Sequence, residues 1–166
     1  MKVVILAGGY GTRLSEYTDT IPKPMVPIGG KPIIEHIMGI YARHGHKEFY
    51  VALGYKGEII KEHFKNFKSD WKINLIDTGS GTYTGGRLKR LKKYLSKETF
   101  LLTYGDGLSN ININELIEFH TNHKKIVTIS AVRPPASFGS LSLKDSEVLK
   151  FKEKAQLGDS WINGGF

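Results

Sequence analysis

The chain has 166 residues, 40% of them hydrophobic and 24% charged, and its 24 Lys and Arg against 16 Asp and Glu give a formal net charge of +8. That length supports one sizeable core, and the charge balance favours polyanionic partners. The absence of cysteine excludes disulfides and thiolate chemistry, and the first apolar run, which stops at Leu6 and Ala7, is too short for a signal peptide or a membrane span, so a cytoplasmic location is expected.

The first predicted strand, residues 2–7, runs into Ala7-Gly8-Gly9-Tyr10-Gly11-Thr12-Arg13. Glycines admit positive φ and let successive amides approach phosphate oxygens, and Arg13 adds a planar fork of donors. A dinucleotide fingerprint needs a third glycine where Leu14 stands, and the second strand ends at Gly54 without an acidic residue for a ribose. No glycine here is followed by the Gly-Lys-Ser/Thr of a P-loop. A turn that merely starts a helix stays open.

Next comes Ile21-Pro22-Lys23-Pro24-Met25-Val26-Pro27, where prolines on both sides are expected to hold the backbone around Lys23 extended and aim a pinned ammonium at a phosphate. A helix is predicted from Pro32 to Gly45, a strand over 48–53, a helix over 56–67 and a strand over 72–77. The loop Thr82-Tyr83-Thr84-Gly85-Gly86-Arg87 offers hydroxyls and bare amides to a base edge, or simply caps the helix expected after Gly86. That helix places Leu88, Leu91 and Leu95 on an apolar stripe, which turns most of its many cations to solvent.

A fourth strand, 99–104, ends in Thr103-Tyr104-Gly105-Asp106-Gly107. A carboxylate between two glycines suits a hard cation that keeps its waters and bridges to phosphate, and it equally suits an Asp-Gly turn. Asn112 and Glu115 form a capping box for a helix to about His123, and a fifth strand is expected over 126–132. Strand-helix alternation implies a mainly parallel, three-layer α/β sheet with ligands outside the carboxyl ends of its strands. No zinc pattern or aromatic-basic RNA motif supports the nucleic-acid alternative that the charge raises, and the six histidines do not form His-Glu-x-x-His.

The Gly-Gly-x-Gly-Thr-Arg-Leu turn followed by the Lys-Pro segment resembles the signature of the sugar-1-phosphate nucleotidylyltransferases. Within that family Thr82 to Arg90, the Thr-Tyr-Gly-Asp-Gly strand end and the terminal Ile-Asn-Gly-Gly-Phe are most similar to the glucose-1-phosphate cytidylyltransferases. The resemblance implies a Rossmann-like nucleotidyltransferase fold with a mainly parallel mixed sheet. It also implies one catalytic domain over 1–166, with a nucleotide part to about 110 and a sugar-phosphate part beyond, and a C-terminal part missing after Phe166. The implied reaction joins CTP and glucose 1-phosphate to give a nucleotide sugar and pyrophosphate, with Mg2+ as cofactor.

By the same resemblance Arg13, Lys23 and Asp106 are catalytic and Asp106 holds the metal. Leu6, Ala7, Gly8, Gly9, Tyr10, Gly11, Thr12, Arg13, Lys23, Thr82, Thr84, Gly85, Gly86, Arg87 and Gly105 surround the nucleotide. Gly139, Glu153, Lys154, Ile162 and Asn163 bind the sugar phosphate; Glu153 and Lys154 also suit an exposed hairpin. The implied partners are a nucleoside triphosphate and a sugar 1-phosphate, without nucleic acid or membrane, in a homo-oligomer when full-length. The chain departs from the pattern at Ala155, where the family has proline, and between Phe67 and Ile73, where the cytidylyltransferases carry a long insertion. A different base and sugar pair (dTTP, UTP or GTP) and a non-catalytic nucleotide-binding regulator are the alternatives.

Overall fold

A strand covered on both faces of a parallel sheet reads as an unbroken apolar run, and Val3, Val4 and Ile5 are all fully buried. The computed structural model describes every residue except 12–18, 96–97, 134–139 and 153–160. In chain order it contains β1 (Lys2–Ala7), a 3₁₀ turn (Lys23–Met25), β2 (Pro27–Ile28), β3 (Lys31–Pro32), α1 (Ile33–Arg43), β4 (Glu48–Leu53), α2 (Gly57–Lys65) and β5 (Lys72–Asp77). There follow α3 (Thr84–Leu95), β6 (Leu101–Tyr104), α4 (Ile113–His123), β7 (Ala131–Val132), β8 (Ser140–Lys144), β9 (Glu147–Lys152) and β10 (Ile162–Asn163). These divide into two units, Met1–Ile126 with Phe166, and Val127–Gly165.

The first unit is built on a four-stranded parallel sheet in the order β5-β4-β1-β6. Alternate side chains of β1 face opposite ways, so Val3 and Ile5 join Phe49, Val51, Ile34, Ile37, Met38, Ile60 and Ile113 in one core, whereas Val4 packs with Tyr50, Ala52, Leu91 and Leu95 in another. Helices α1, α2 and α4 thus cover one face and α3 the other, which is the expected three-layer arrangement. Each fully buried Ile or Met here contributes about 1.5–3 kcal/mol.

The strand order decides where a ligand can sit. After β1 the chain builds outward through β4 and β5, then returns to place β6 on the other side of β1. Connections on the two sides of β1 therefore part company between β1 and β6, leaving a crevice at their carboxyl ends.

In the second unit β7 pairs antiparallel with β10, and β8 with β9 in a hairpin whose turn carries Asp145 at φ 52°. The strand predicted over 126–132 is reduced to its last two residues. Ile126, Val127 and Ile129 are 97%, 67% and 62% exposed; with ladder pairing confined to residues 131–132, β propensity alone does not hold the rest as strand.

The capping box at α4 is present in altered form. Asn112 Oδ1 accepts from the backbone N–H groups of Asn114 and Glu115 at 3.1 and 3.4 Å, and its Nδ2 donates to Glu115 Oε1 at 2.8 Å. Asn112→Ala is expected to cost about 1 kcal/mol, or roughly 2–4 °C in a thermal melt followed by circular dichroism, with Asn112→Ser close to neutral.

Candidate functional site

The crevice between β1 and β6 opens into a cleft of about 560 Å3. Its floor is the end of β1 and the glycine turn: Leu6, Ala7, Gly8, Gly9, Tyr10 and Gly11 all line it. Gly11 takes φ 68°, which a side chain would resist, and the Tyr10 ring lies 5.2 Å from that of Tyr55. The residues after β4 and β6 are tied to the same turn, through Tyr55 N–H to Gly8 O at 3.2 Å and Gly105 N–H to Leu6 O at 3.0 Å.

Lys23 and Asp106 meet on this floor. The expected extended backbone at Lys23 is corrected: Pro22 is extended, but Lys23–Met25 closes a 3₁₀ turn, with Met25 N–H on Pro22 O and Val26 N–H on Lys23 O. The fixed φ of Pro24 falls inside the 3₁₀ range, and the N–H that proline lacks is not needed in a first turn. From that turn Lys23 Nζ donates to Asp106 Oδ2 at 2.5 Å. Among the described lining residues Asp106 is the one carboxylate.

The far wall is residues 80–84 with Arg87. Here α3 begins at Thr84 rather than after Gly86, so Gly85 and Gly86 lie in its first turn and do not line the cleft. A Cβ at Gly86 would meet Thr82 Cγ2 at 2.8 Å; the bare glycine is what lets the loop fold back on the helix. Thr82 Oγ1 accepts from Arg90 Nη1 at 2.6 Å.

Arg87 is buried, and its guanidinium is committed to the protein. Nη1 donates to Leu53 O, Thr78 Oγ1 and Gly79 O, and Nη2 to Gly8 O and Ser80 O, at 2.7 to 3.2 Å. Burial lowers its pKa, the neighbouring Arg90 charge adds to that, and Asp77 and Tyr10 oppose it. The sequence reading set Arg87 against a nucleotide; the structure turns both terminal nitrogens to the acceptors that shape the cleft.

Most of the nucleotide-side residues expected from sequence therefore converge: Lys23, Thr82, Thr84, Arg87, Gly105 and Asp106 share one cleft with the glycine turn. Pro24, Ser80, Gly81, Tyr83 and Tyr104 line it as well. The sequence signal for Ser80 and Gly81 was the continuation of the hydroxyl- and glycine-rich loop to its N-terminal side. Thr12, Arg13, Gly139, Glu153 and Lys154 lie outside the described residues. Ile162 and Asn163 form β10 in the second unit, opposite Val132 and Ala131, and both are exposed.

Residues 2–166 match the family described as Nucleotidyl transferase. The chain belongs to that family. Its whole length is 47% identical over 189 aligned positions to the glucose-1-phosphate cytidylyltransferase of Salmonella typhimurium, covering 74% of that protein, and 44% identical to the probable glucose-1-phosphate cytidylyltransferase of Bacillus subtilis, covering 73%. Among solved structures, HddC from Yersinia pseudotuberculosis complexed with GMP-PN superposes with a TM-score of 0.69 at 29% identity, over 98% of this chain and 73% of that one. These likenesses place the chain among the sugar-1-phosphate nucleotidylyltransferases, as its motifs implied. The 189 aligned positions against 166 residues also mean that the Salmonella protein has residues within the aligned stretch that this chain lacks.

Proposed function

We propose that the chain transfers a nucleotidyl group from CTP to glucose 1-phosphate, releasing pyrophosphate. The observation that carries this reading is the convergence of the glycine turn, Lys23 and Asp106 at the switch point between β1 and β6, in a chain whose relatives include two glucose-1-phosphate cytidylyltransferases. An oxygen of the sugar phosphate attacks the α-phosphorus, the bond to the pyrophosphate oxygen breaks, and no protein nucleophile is needed. The residues present then have two tasks, aligning two anions and offsetting their charge. Amides of residues 8–11 and the Lys23 ammonium hold the triphosphate, joined by Arg13, and Lys154 holds the incoming phosphate.

Asp106 fits a magnesium ion of the kind held by one or two carboxylates together with substrate phosphates and waters. Among the described residues no three His, Cys, Asp or Glu cluster as a protein-only cage would require. When bound, such an ion neutralises charge developing on the phosphates. Residues 80–84 supply the base-side wall. The reading extends to a cytoplasmic enzyme that assembles as a homo-oligomer.

The test is a thermal-shift and pyrophosphate-release panel with magnesium, glucose 1-phosphate and CTP, UTP, dTTP or GTP. CTP at about 100 times its Kd should add about 2.7 kcal/mol of stability and should support the fastest release, and Arg13→Ala should weaken CTP binding about ten- to a hundredfold. A shift with another nucleotide but not with CTP would reassign the base, and no shift with any of them would remove the reading.

A further inference from the structure

The one carboxylate among the described lining residues of the cleft is already engaged by the cleft's own lysine, with Lys23 Nζ 2.5 Å from Asp106 Oδ2 across 83 residues of sequence. Resting on the reading of this cleft as a triphosphate and magnesium site, we propose that Lys23 and Asp106 form a latch that makes metal-free nucleotide binding poor: in the pair, the ammonium is withheld from phosphate and the carboxylate from a cation.

Three features of the structure support it. Both partners are held by short backbone devices, Lys23 on the 3₁₀ turn and Asp106 directly after Gly105, whose N–H is fixed to Leu6 O, so the pair is preset and does not depend on two long chains finding each other. Both are also partly open to the cleft, Lys23 21% and Asp106 34% exposed at the side chain, so an arriving ligand can reach either. The local charge is balanced as well: a triphosphate drawing Lys23 away would uncover a carboxylate beside its own negative charge, whereas a divalent cation at Asp106 removes that penalty and frees the ammonium in the same event. Nucleotide and cation are thereby favoured as a complex over either alone, which is coupling between two ligands through one bistable pair.

The experiment is a double-mutant cycle read by calorimetric titration of CTP in EDTA, with each variant's melting curve recorded as a check on folding. Asp106→Asn keeps the side-chain shape and releases the lysine; it should bind metal-free CTP about tenfold or more tighter than the parent, the effect of one charged hydrogen bond. Lys23→Met should weaken metal-free binding in the parent, because it leaves the Asp106 carboxylate uncovered beside the triphosphate, and in the Asp106→Asn background it should bring affinity back to that of the parent, erasing the whole gain. If the gain survives in the double variant, it is plain relief of carboxylate repulsion and the latch is wrong. If Asp106→Asn brings no gain, the latch is wrong too. A parent that binds CTP well with magnesium in either case keeps the functional reading intact, whereas a parent that binds no nucleotide with magnesium overturns both.

Discussion

Arg87→Met is expected to lower the melting temperature by roughly 6–20 °C and to abolish stabilisation by nucleotide. Methionine keeps much of the volume of the buried arm, so little of the loss is a cavity. What disappears is the donor set that holds the carbonyls of Gly8, Leu53, Gly79 and Ser80 and the hydroxyl of Thr78. Those acceptors come from three separate segments: the turn after β1, the end of β4 and the loop after β5. Gly8 O keeps the Tyr55 N–H and Leu53 O the Thr78 N–H, so the acceptors that lose their donor are Thr78 Oγ1, Gly79 O and Ser80 O. At about 1–3 kcal/mol for each buried acceptor left without one, less what water from the cleft restores, a total of about 3–5 kcal/mol is expected, high in the range for single substitutions. At about 2–4 °C per kcal/mol for a chain of this size, the stated shift follows. Arg87→Lys retains the charge but has three donors from one atom, too few to span the segments, and should fall between. Melts of the three proteins with and without CTP and magnesium decide the matter; a methionine variant that melts with the parent would mean that the network holds nothing together.

Much of the fold was legible in local pattern. Strands β1, β4 and β5 lie where they were predicted: β1 and β4 because a strand buried on both faces tolerates few polar residues, and the edge strand β5, half-buried at best, because its Ile and Leu residues stand between charged ends at Lys72 and Asp77. What failed was decided by partners far away in sequence. Strand β6 starts at Leu101 rather than residue 99, where its register opens against Val3, and nothing in residues 99–100 announces that limit. Residues 126–130 have the side chains of a strand and no ladder. The early start of α3 is a third case: Gly85 and Gly86 are poor helix formers, yet the helix includes them because Thr82 packs where a Cβ on Gly86 would stand.

The site divides along the same line. The glycine turn, Lys23 and Asp106 were each readable because each carries its own short signal at a strand end or beside prolines. The links between them were not. Lys23 reaches Asp106 over 83 residues and Arg87 reaches Gly8 over 79, and such pairs are created by the sheet order, not by spacing. By residue type and spacing Arg87 is one more cation at the head of a basic helix; the resemblance alone singled it out, and for the nucleotide. The solvated reading of that helix is right for Lys89, Lys92 and Lys93, all exposed, whereas Arg90 donates to Thr82 Oγ1 and Thr78 O and Arg87 is 4% exposed.

Gly105 and Gly107 flank Asp106 symmetrically in sequence, and alanine at the two positions should behave in opposite ways. A Cβ on Gly105 would stand 2.8 Å from Leu6 O, 3.0 Å from Pro24 Cγ and 3.3 Å from Ala7 Cα. Two of these atoms belong to the backbone of β1 and the third to a proline ring, so none can rotate away. The strain must instead part β6 from β1 at the Gly105 N–H to Leu6 O bond and shift Pro24, the chain neighbour of Lys23, together with Asp106 itself. Overpacking of this kind costs about 1–3 kcal/mol, or roughly 2–12 °C, and because the displaced atoms are the cleft floor, CTP affinity with magnesium should fall at least about tenfold. On Gly107 the same Cβ would find only Phe166 Cε2, at 4.0 Å, an ordinary contact, so Gly107→Ala should stay within about 0.5 kcal/mol of the parent and bind CTP as the parent does. Paired melts and CTP titrations of the two variants make the comparison. Equal behaviour would show that the close approach of β6 to β1 at Gly105 does not set the geometry of Asp106.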